Sequence, residues 1–162
     1  MTDFSQDFLA VGWIELGWKN FVFSPLSMHS VLAMLISGAS NNSTTQSELL
    51  FGFGGAVNIR NIEKFYGQLV ESYKGPEVEK NLKFGTRVWT SPRYFPKIDE
   101  CYKRKIENLY DAEFDKFTPR GSEKNVNDWV NEVTQGKIDN ILSKFSYLGA
   151  VHKLCRLKIG DF

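Results

Sequence analysis

The chain has 162 residues, 42% of them apolar and 24% charged, and a net charge of +1. Those proportions describe an ordinary folded protein and exclude a disordered polyelectrolyte or a membrane-spanning bundle; the near-zero charge gives no electrostatic reason to expect nucleic acid or an anionic membrane as partner. Thirteen Phe, six Tyr and four Trp mean that large aromatic side chains must fill much of the core.

In chain order, residues 4–18 set Phe4, Phe8, Leu9, Val11 and Trp13 at roughly helical intervals, although Gly12 and Gly17 weaken the pattern. No basic residue precedes this apolar stretch, so it lacks the form of a signal peptide, and a chain that starts natively at Met1 is expected in the cytoplasm. Residues 21–23 are a short β-prone run. Ser24 and Pro25 then supply an N-cap followed by proline at the first helical position, where its missing N–H costs nothing. Residues 26–36 are apolar nearly all round, with Met28, Val31, Leu32 and Leu35 at i, i+3, i+4 and i+7, which predicts a helix in the middle of a core. The run is too short for a bilayer, which needs about 20 residues. Gly38 and the cluster Asn41-Asn42-Ser43 are expected to close it, because glycine and asparagine tolerate left-handed backbone.

Residues 44–50 read as a second short helix, and Gly52-Phe53-Gly54-Gly55 as a connector. Residues 59–73 form an amphipathic pattern with Ile62, Phe65, Tyr66, Leu69 and Tyr73 on one side, followed by a turn at residues 74–77. Residues 82–90 alternate with period two and predict a strand that Ser91-Pro92 ends. Helical spacing returns over residues 98–110 through Cys101, Tyr102, Ile106, Leu109 and Tyr110, and residues 113–117 read as a short strand. Gly121-Ser122 opens a last helix with Val126, Trp129, Val130, Val133, Ile138 and Leu142 facing inward. Gly136 inside that pattern would cost about 1 kcal/mol relative to alanine, so it is expected to serve a turn or a close approach.

Two segments carry a resemblance. Asn20-Phe-Val-Phe-Ser-Pro-Leu-Ser27 and Val126-Asn-Asp-Trp-Val-Asn-Glu-Val-Thr-Gln-Gly-Lys-Ile138, with Leu82-Lys-Phe-Gly-Thr-Arg-Val-Trp89 and Tyr110-Asp-Ala-Glu113 between them, resemble the serpin family of serine-protease inhibitors. The resemblance implies an α+β fold in which residues 1–142 are the N-terminal part of a serpin domain, with helices packed on an incomplete main β-sheet. By the same resemblance Asn20, Ser24, Pro25, Ser27, Gly38 and Thr86 belong to the shutter, the region that controls opening of the main sheet. Asn127, Trp129, Thr134, Gly136 and Lys137 belong to the helix that crosses the sheet. The family pattern departs at Asn41-Asn42-Ser43, where Gly-x-Thr is usual, and at Thr86, where Asn is usual.

Residues 143–162 do not resemble the third main-sheet strand that would follow and are read as a divergent tail. The reactive loop, whose cleavage and insertion into the sheet traps a protease, is expected to be absent. The resemblance therefore implies a family role of serine-protease inhibition that this chain is expected to lack, with a serine protease as the family's partner but not this chain's. The alternative is a non-inhibitory module that pairs through exposed strand edges with a full-length serpin or another β-rich partner. On that view Phe84, Val88 and the helix over residues 26–36 should lack part of their cover. The family is often extracellular.

A search for other chemistry yields little. His29 and His152 are the only histidines, and no nucleophile elbow or orienting acid accompanies them, so no enzyme is expected. His152 and Cys155 provide two metal-capable side chains where a structural zinc site needs four, so neither a metal nor a cofactor is expected. Cys101 and Cys155 are read as free thiols. Asn41 and Asn42 head two overlapping glycosylation sequons, relevant only to a secreted chain. Arg60 and Lys64 lie on a helix that binds polyanions in some serpins, but Glu63 and Glu71 accompany them and a solvated face is the expectation.

Overall fold

The computed structural model describes residues 6, 9–10, 24–55, 58–118 and 122–142. The chain divides into two compact units, Met1–Tyr66 and Gly67–Phe162. Most of the helix expected over residues 4–18, the run at residues 21–23 with Asn20, and residues 143–162 lie outside the described residues.

In the first unit, α1 spans Pro25–Gly38. Ser24 caps it as the sequence predicts: its backbone is extended, its Oγ accepts the Ser27 N–H at 3.2 Å, and Pro25 opens the helix. The buried face differs from the predicted one. His29, Ser30, Ala33, Met34 and Ile36 are buried, whereas Met28 and Leu35 are 36% and 37% exposed. In a helix apolar all round, periodicity cannot choose a face. Here the buried face carries Met34 and Ile36 beside Ala33, His29 and Ser30, whose hydroxyl bonds back to the helix.

The left-handed residue after α1 is Asn42, with φ 60°, while Gly38 stays within the helix and Ala39 caps it in extended backbone. Asparagine adopts that backbone more readily than most residues. Ser43 then caps α2, Thr44–Gly52, through the Gln46 N–H at 3.1 Å, and α2 packs on α1. Gly54 and Gly55 both have positive φ, which gives the expected break a backbone cause. Helix α3, Ile59–Tyr73, runs from the first unit into the second with the bounds predicted. It buries Ile62, Tyr66 and Val70 and leaves Phe65 exposed.

In the second unit the predicted turn at residues 74–77 becomes the start of a short helix, α4, Pro76–Asn81, with Pro76 in its first turn. Strand β1 is Thr86–Thr90, shorter than the alternating pattern, and β2 is Ala112–Lys116. They pair in parallel, Thr86 opposite Ala112 and Val88 opposite Phe114. Parallel neighbours need a crossover. It is α5, Glu100–Tyr110, capped by Asp99, whose Oδ1 accepts the Tyr102 N–H at 2.9 Å. Helix α6, Ser122–Val133, completes the unit.

Its core is Trp89, Val126, Trp129 and Val130, with Phe117, Val133, Ile138 and Leu142 packed around them. Val88 is also buried, contrary to the expectation of lost cover, and Phe84 stacks on Tyr73 at 4.0 Å between ring centroids. Cys101 is an exposed free thiol, while Cys155 and His152 lie outside the described residues.

Candidate functional site

The residues singled out by sequence fall into two clusters. In the first unit, Ser24 and Ser27 meet at the N-terminus of α1, where the Ser27 hydroxyl lies 3.0 Å from Ser24 Oγ. Ser30, one turn on, is fully buried and donates to the Leu26 carbonyl at 2.8 Å, which removes the penalty of burying a hydroxyl. His29 is buried beside it, edge-on to Phe53 at 4.9 Å. Burial holds its imidazole below the usual histidine range. Gly38 sits at the far end of the same helix, away from the serines. Asn41 and Asn42 are exposed on the turn between α1 and α2.

The second cluster is built on α6. The Asn127 side chain closes a loop on the segment that follows: its Oδ1 accepts the Ile141 and Leu142 N–H groups, both at 3.0 Å. Its Nδ2 donates to Asn140 Oδ1 at 3.1 Å and to the Leu142 carbonyl at 3.0 Å. Every donor and acceptor site of one amide is thus spent on residues 140–142. Thr134, buried just past the helix end, donates to the Val130 carbonyl at 2.8 Å and accepts the Ile138 N–H at 3.1 Å.

Gly136 is not inside the helix as the sequence pattern suggested. Helix α6 ends at Val133, and Gly136, with φ +82°, donates its N–H to the Asn131 carbonyl at 2.8 Å in a C-terminal turn that also takes Gln135 left-handed. Lys137 N–H continues the turn to the Thr134 carbonyl at 3.2 Å.

Trp129 meets Trp89 edge-to-face with centroids 5.0 Å apart. Arg87 lies over both rings, 5.1 Å from the Trp129 centroid and 5.8 Å from that of Trp89, and its guanidinium pairs with Glu113 across the strand ladder. The residue that permits this approach is Gly85. A Cβ there would stand 2.8 Å from the Trp129 ring and 2.9 Å from a Val133 methyl. The sequence signal for it exists, since glycine in a strand pattern marks close backbone approach. Thr86 follows it, buried on the first rung of the ladder.

This arrangement, a helix laid on a strand through a glycine and tied to its own return segment by asparagine, is the geometry of the second motif. A family model described as serpin, serine protease inhibitor, matches residues 1–151. The chain belongs to the serpin family. It is 32% identical over 150 residues to a serine protease inhibitor of Mus musculus, across 88% of this chain and 34% of that protein. It is also 32% identical over 132 residues to the plasma serine protease inhibitor of Bos taurus, across 76% and 31%. The crystal structure of human glycosylated kallistatin superposes with a TM-score of 0.76 at 24% identity, covering 90% of this chain and 39% of that one, and shows the same fold.

This serpin chain spans about a third of the length of the curated relatives it matches. Its fold is therefore α+β, the N-terminal portion of a serpin with an incomplete sheet. The match runs past Leu142 to residue 151, into the segment read from sequence as a divergent tail. Among the described residues, no group of three or more His, Cys, Asp or Glu could hold a metal ion, and no helix is long and apolar enough to cross a membrane.

Proposed function

We propose that these residues are the framework of a serine-protease inhibitor, the part over which a main sheet opens, and not the part that meets the protease. The Gly85–Trp129 approach carries the reading: it seats a helix on the face of a strand with no side chain between, as a helix guarding a sheet requires. By the family resemblance, the shutter role is assigned to Asn20, Ser24, Pro25, Ser27, Gly38 and Thr86, and the sheet-crossing role to Asn127, Trp129, Thr134, Gly136 and Lys137. Inhibition by loop insertion needs a sheet able to admit a strand, and the described residues supply two strands. The 162 residues alone are therefore expected to trap no protease. Incubation with a panel of serine proteases decides it: no band resistant to denaturation is expected, and a covalent complex on a denaturing gel overturns the reading.

A second reading rests on the two-stranded sheet, whose ladder leaves one edge of each strand without a described neighbour. Such edges suit strand addition to a full-length serpin or another β-rich partner. Co-elution with an intact serpin supports it, and strictly monomeric behaviour beside that partner refutes it. For a chain made in the secretory pathway, the exposed turn at Asn41 and Asn42 makes both sequons accessible. A mobility shift on enzymatic glycan removal, lost in the double Asn→Gln variant, tests this.

A further inference from the structure

Three of the five prolines follow a hydroxyl residue: Ser24-Pro25, Ser91-Pro92 and Thr118-Pro119. All three hydroxyl residues are exposed, so it is bonding that separates them. Ser24 Oγ accepts both the Ser27 N–H at 3.2 Å and the Ser27 hydroxyl at 3.0 Å, which occupies its two lone pairs. Thr118 Oγ1 shares a 3.0 Å bond with Ser122 Oγ, which also accepts the Thr118 N–H at 2.7 Å. Among the described residues, Ser91 Oγ accepts one long bond, from the Arg93 N–H at 3.4 Å, and its hydroxyl donates to none. It keeps a lone pair to attack with and a proton to give up.

Ser91 stands where β1 ends and the chain turns. Its carbonyl accepts the Tyr94 and Phe95 N–H groups at 2.9 and 3.0 Å, and a one-turn helix, Phe95–Lys97, follows. A proline biases the residue before it to extended backbone, and its own missing N–H leaves nothing after the serine for an enclosing cleft to satisfy. Opening this surface turn gives up two backbone bonds, whereas drawing Ser24-Pro25 into a cleft would unwind the first turn of α1. The surroundings of Ser91 are positive. Arg93 is two residues on, Lys116 is paired opposite Thr90 on the last rung, and Arg93 and Lys97 stand over the Tyr94 ring at 5.8 and 5.9 Å. Among the described residues no carboxylate pairs with Arg93, Lys97 or Lys116.

We infer that Ser91 is a phosphorylation site, the acceptor for a proline-directed protein kinase. The Ser91 Oγ attacks the γ-phosphorus of a nucleoside triphosphate held by that kinase. The new O–P bond forms as the bond from the γ-phosphorus to the β–γ bridging oxygen breaks; the hydroxyl proton passes to the kinase's catalytic carboxylate, and the nucleoside diphosphate leaves. The product carries a charge of about −1.5 to −2 at neutral pH, next to cations that need abandon no carboxylate to meet it.

The test incubates the folded 162-residue chain with ATP and, in separate reactions, a mitogen-activated and a cyclin-dependent kinase, and maps the phosphate by peptide mass spectrometry. Modification is expected at Ser91, about tenfold or more faster than at Ser24 or Thr118. Ser91→Ala should lose it, Ser91→Thr should keep it, and Pro92→Ala should slow it about tenfold. Circular dichroism checks that each variant folds, and the ratio of sites within the wild-type chain decides the matter without any variant. The phosphorylated chain is expected to melt at a higher temperature than the unmodified one at low salt, with the gain shrinking as salt is added. The proposal is overturned if neither kinase modifies Ser91, if Ser24 or Thr118 is modified as fast, if folded Pro92→Ala is modified as fast as wild type, or if phosphorylation fails to raise the melting temperature at low salt.

Discussion

Helices α6 and α1 are both rich in apolar residues, but only α6 buries the stripe that its sequence spells out. Val126, Trp129 and Val130 are buried, with acids and amides on the other side. In α1 two apolar side chains of the spelled-out stripe, Met28 and Leu35, stay exposed, while His29, Ser30, Ala33, Met34 and Ile36 are buried. Where polar residues define a back face, the front face is legible. Where they do not, the apolar period leaves the face open, and α1 buries Met34 and Ile36 together with a serine that bonds locally.

The sharpest way to break the contrast is at the aromatic contact under α6. Trp89→Ala removes a fully buried indole and its edge-to-face partner, so it should lower stability by about 3–5 kcal/mol in chemical denaturation. Met28→Ala on the exposed face of α1 should cost far less by the same measurement, and equal losses would refute the assignment of faces. Gly85→Ala comes next: the new methyl must displace the Trp129 ring or Val133, at about 1–3 kcal/mol. A neutral result there would mean that α6 can lift from the strand.

Asn127→Ala removes the acceptor from the Ile141 and Leu142 amides and should cost about 1–3 kcal/mol. Hydrogen exchange sharpens this one, with protection lost at those two amides before the α6 core. The smallest effect belongs to α1. The folded pKa of His29 lies below its unfolded value, so the unfolded chain takes up the proton first as pH falls. Stability is thus unaffected above the unfolded pKa of about 6.5 and declines below it. His29→Leu should flatten that decline in a pH series of denaturation midpoints.

Much of this was readable from the residues. Ser24-Pro25 marked the start of α1 and the bounds of α3 followed from its amphipathic period, because caps and one-sided patterns act locally. The turn read at residues 74–77 overlaps the start of α4 at Pro76, since Gly75-Pro76 signals a break and a helix start equally well. Gly136 was assigned to a helix interior because the apolar period continues through Ile138 and Leu142. Those two side chains reach the core from a return segment, and no periodicity distinguishes that from another helical turn. The Asn127 bonds were hidden for a related reason: an amide's partners 13 to 15 residues away depend on where the chain turns back.

The parallel pairing of β1 with β2 also bears on the order of folding. Each rung joins residues 26 apart, with α5 between them, so forming that helix brings the two strands together. Loop closure over so few residues is fast, and entropy penalises it only weakly. During synthesis the crossover is complete once Lys116 has emerged, so the platform that receives Trp129 can exist before α6 is made. Variants within α5 should therefore slow refolding, whereas Gly85 and Asn127 variants should mainly speed unfolding.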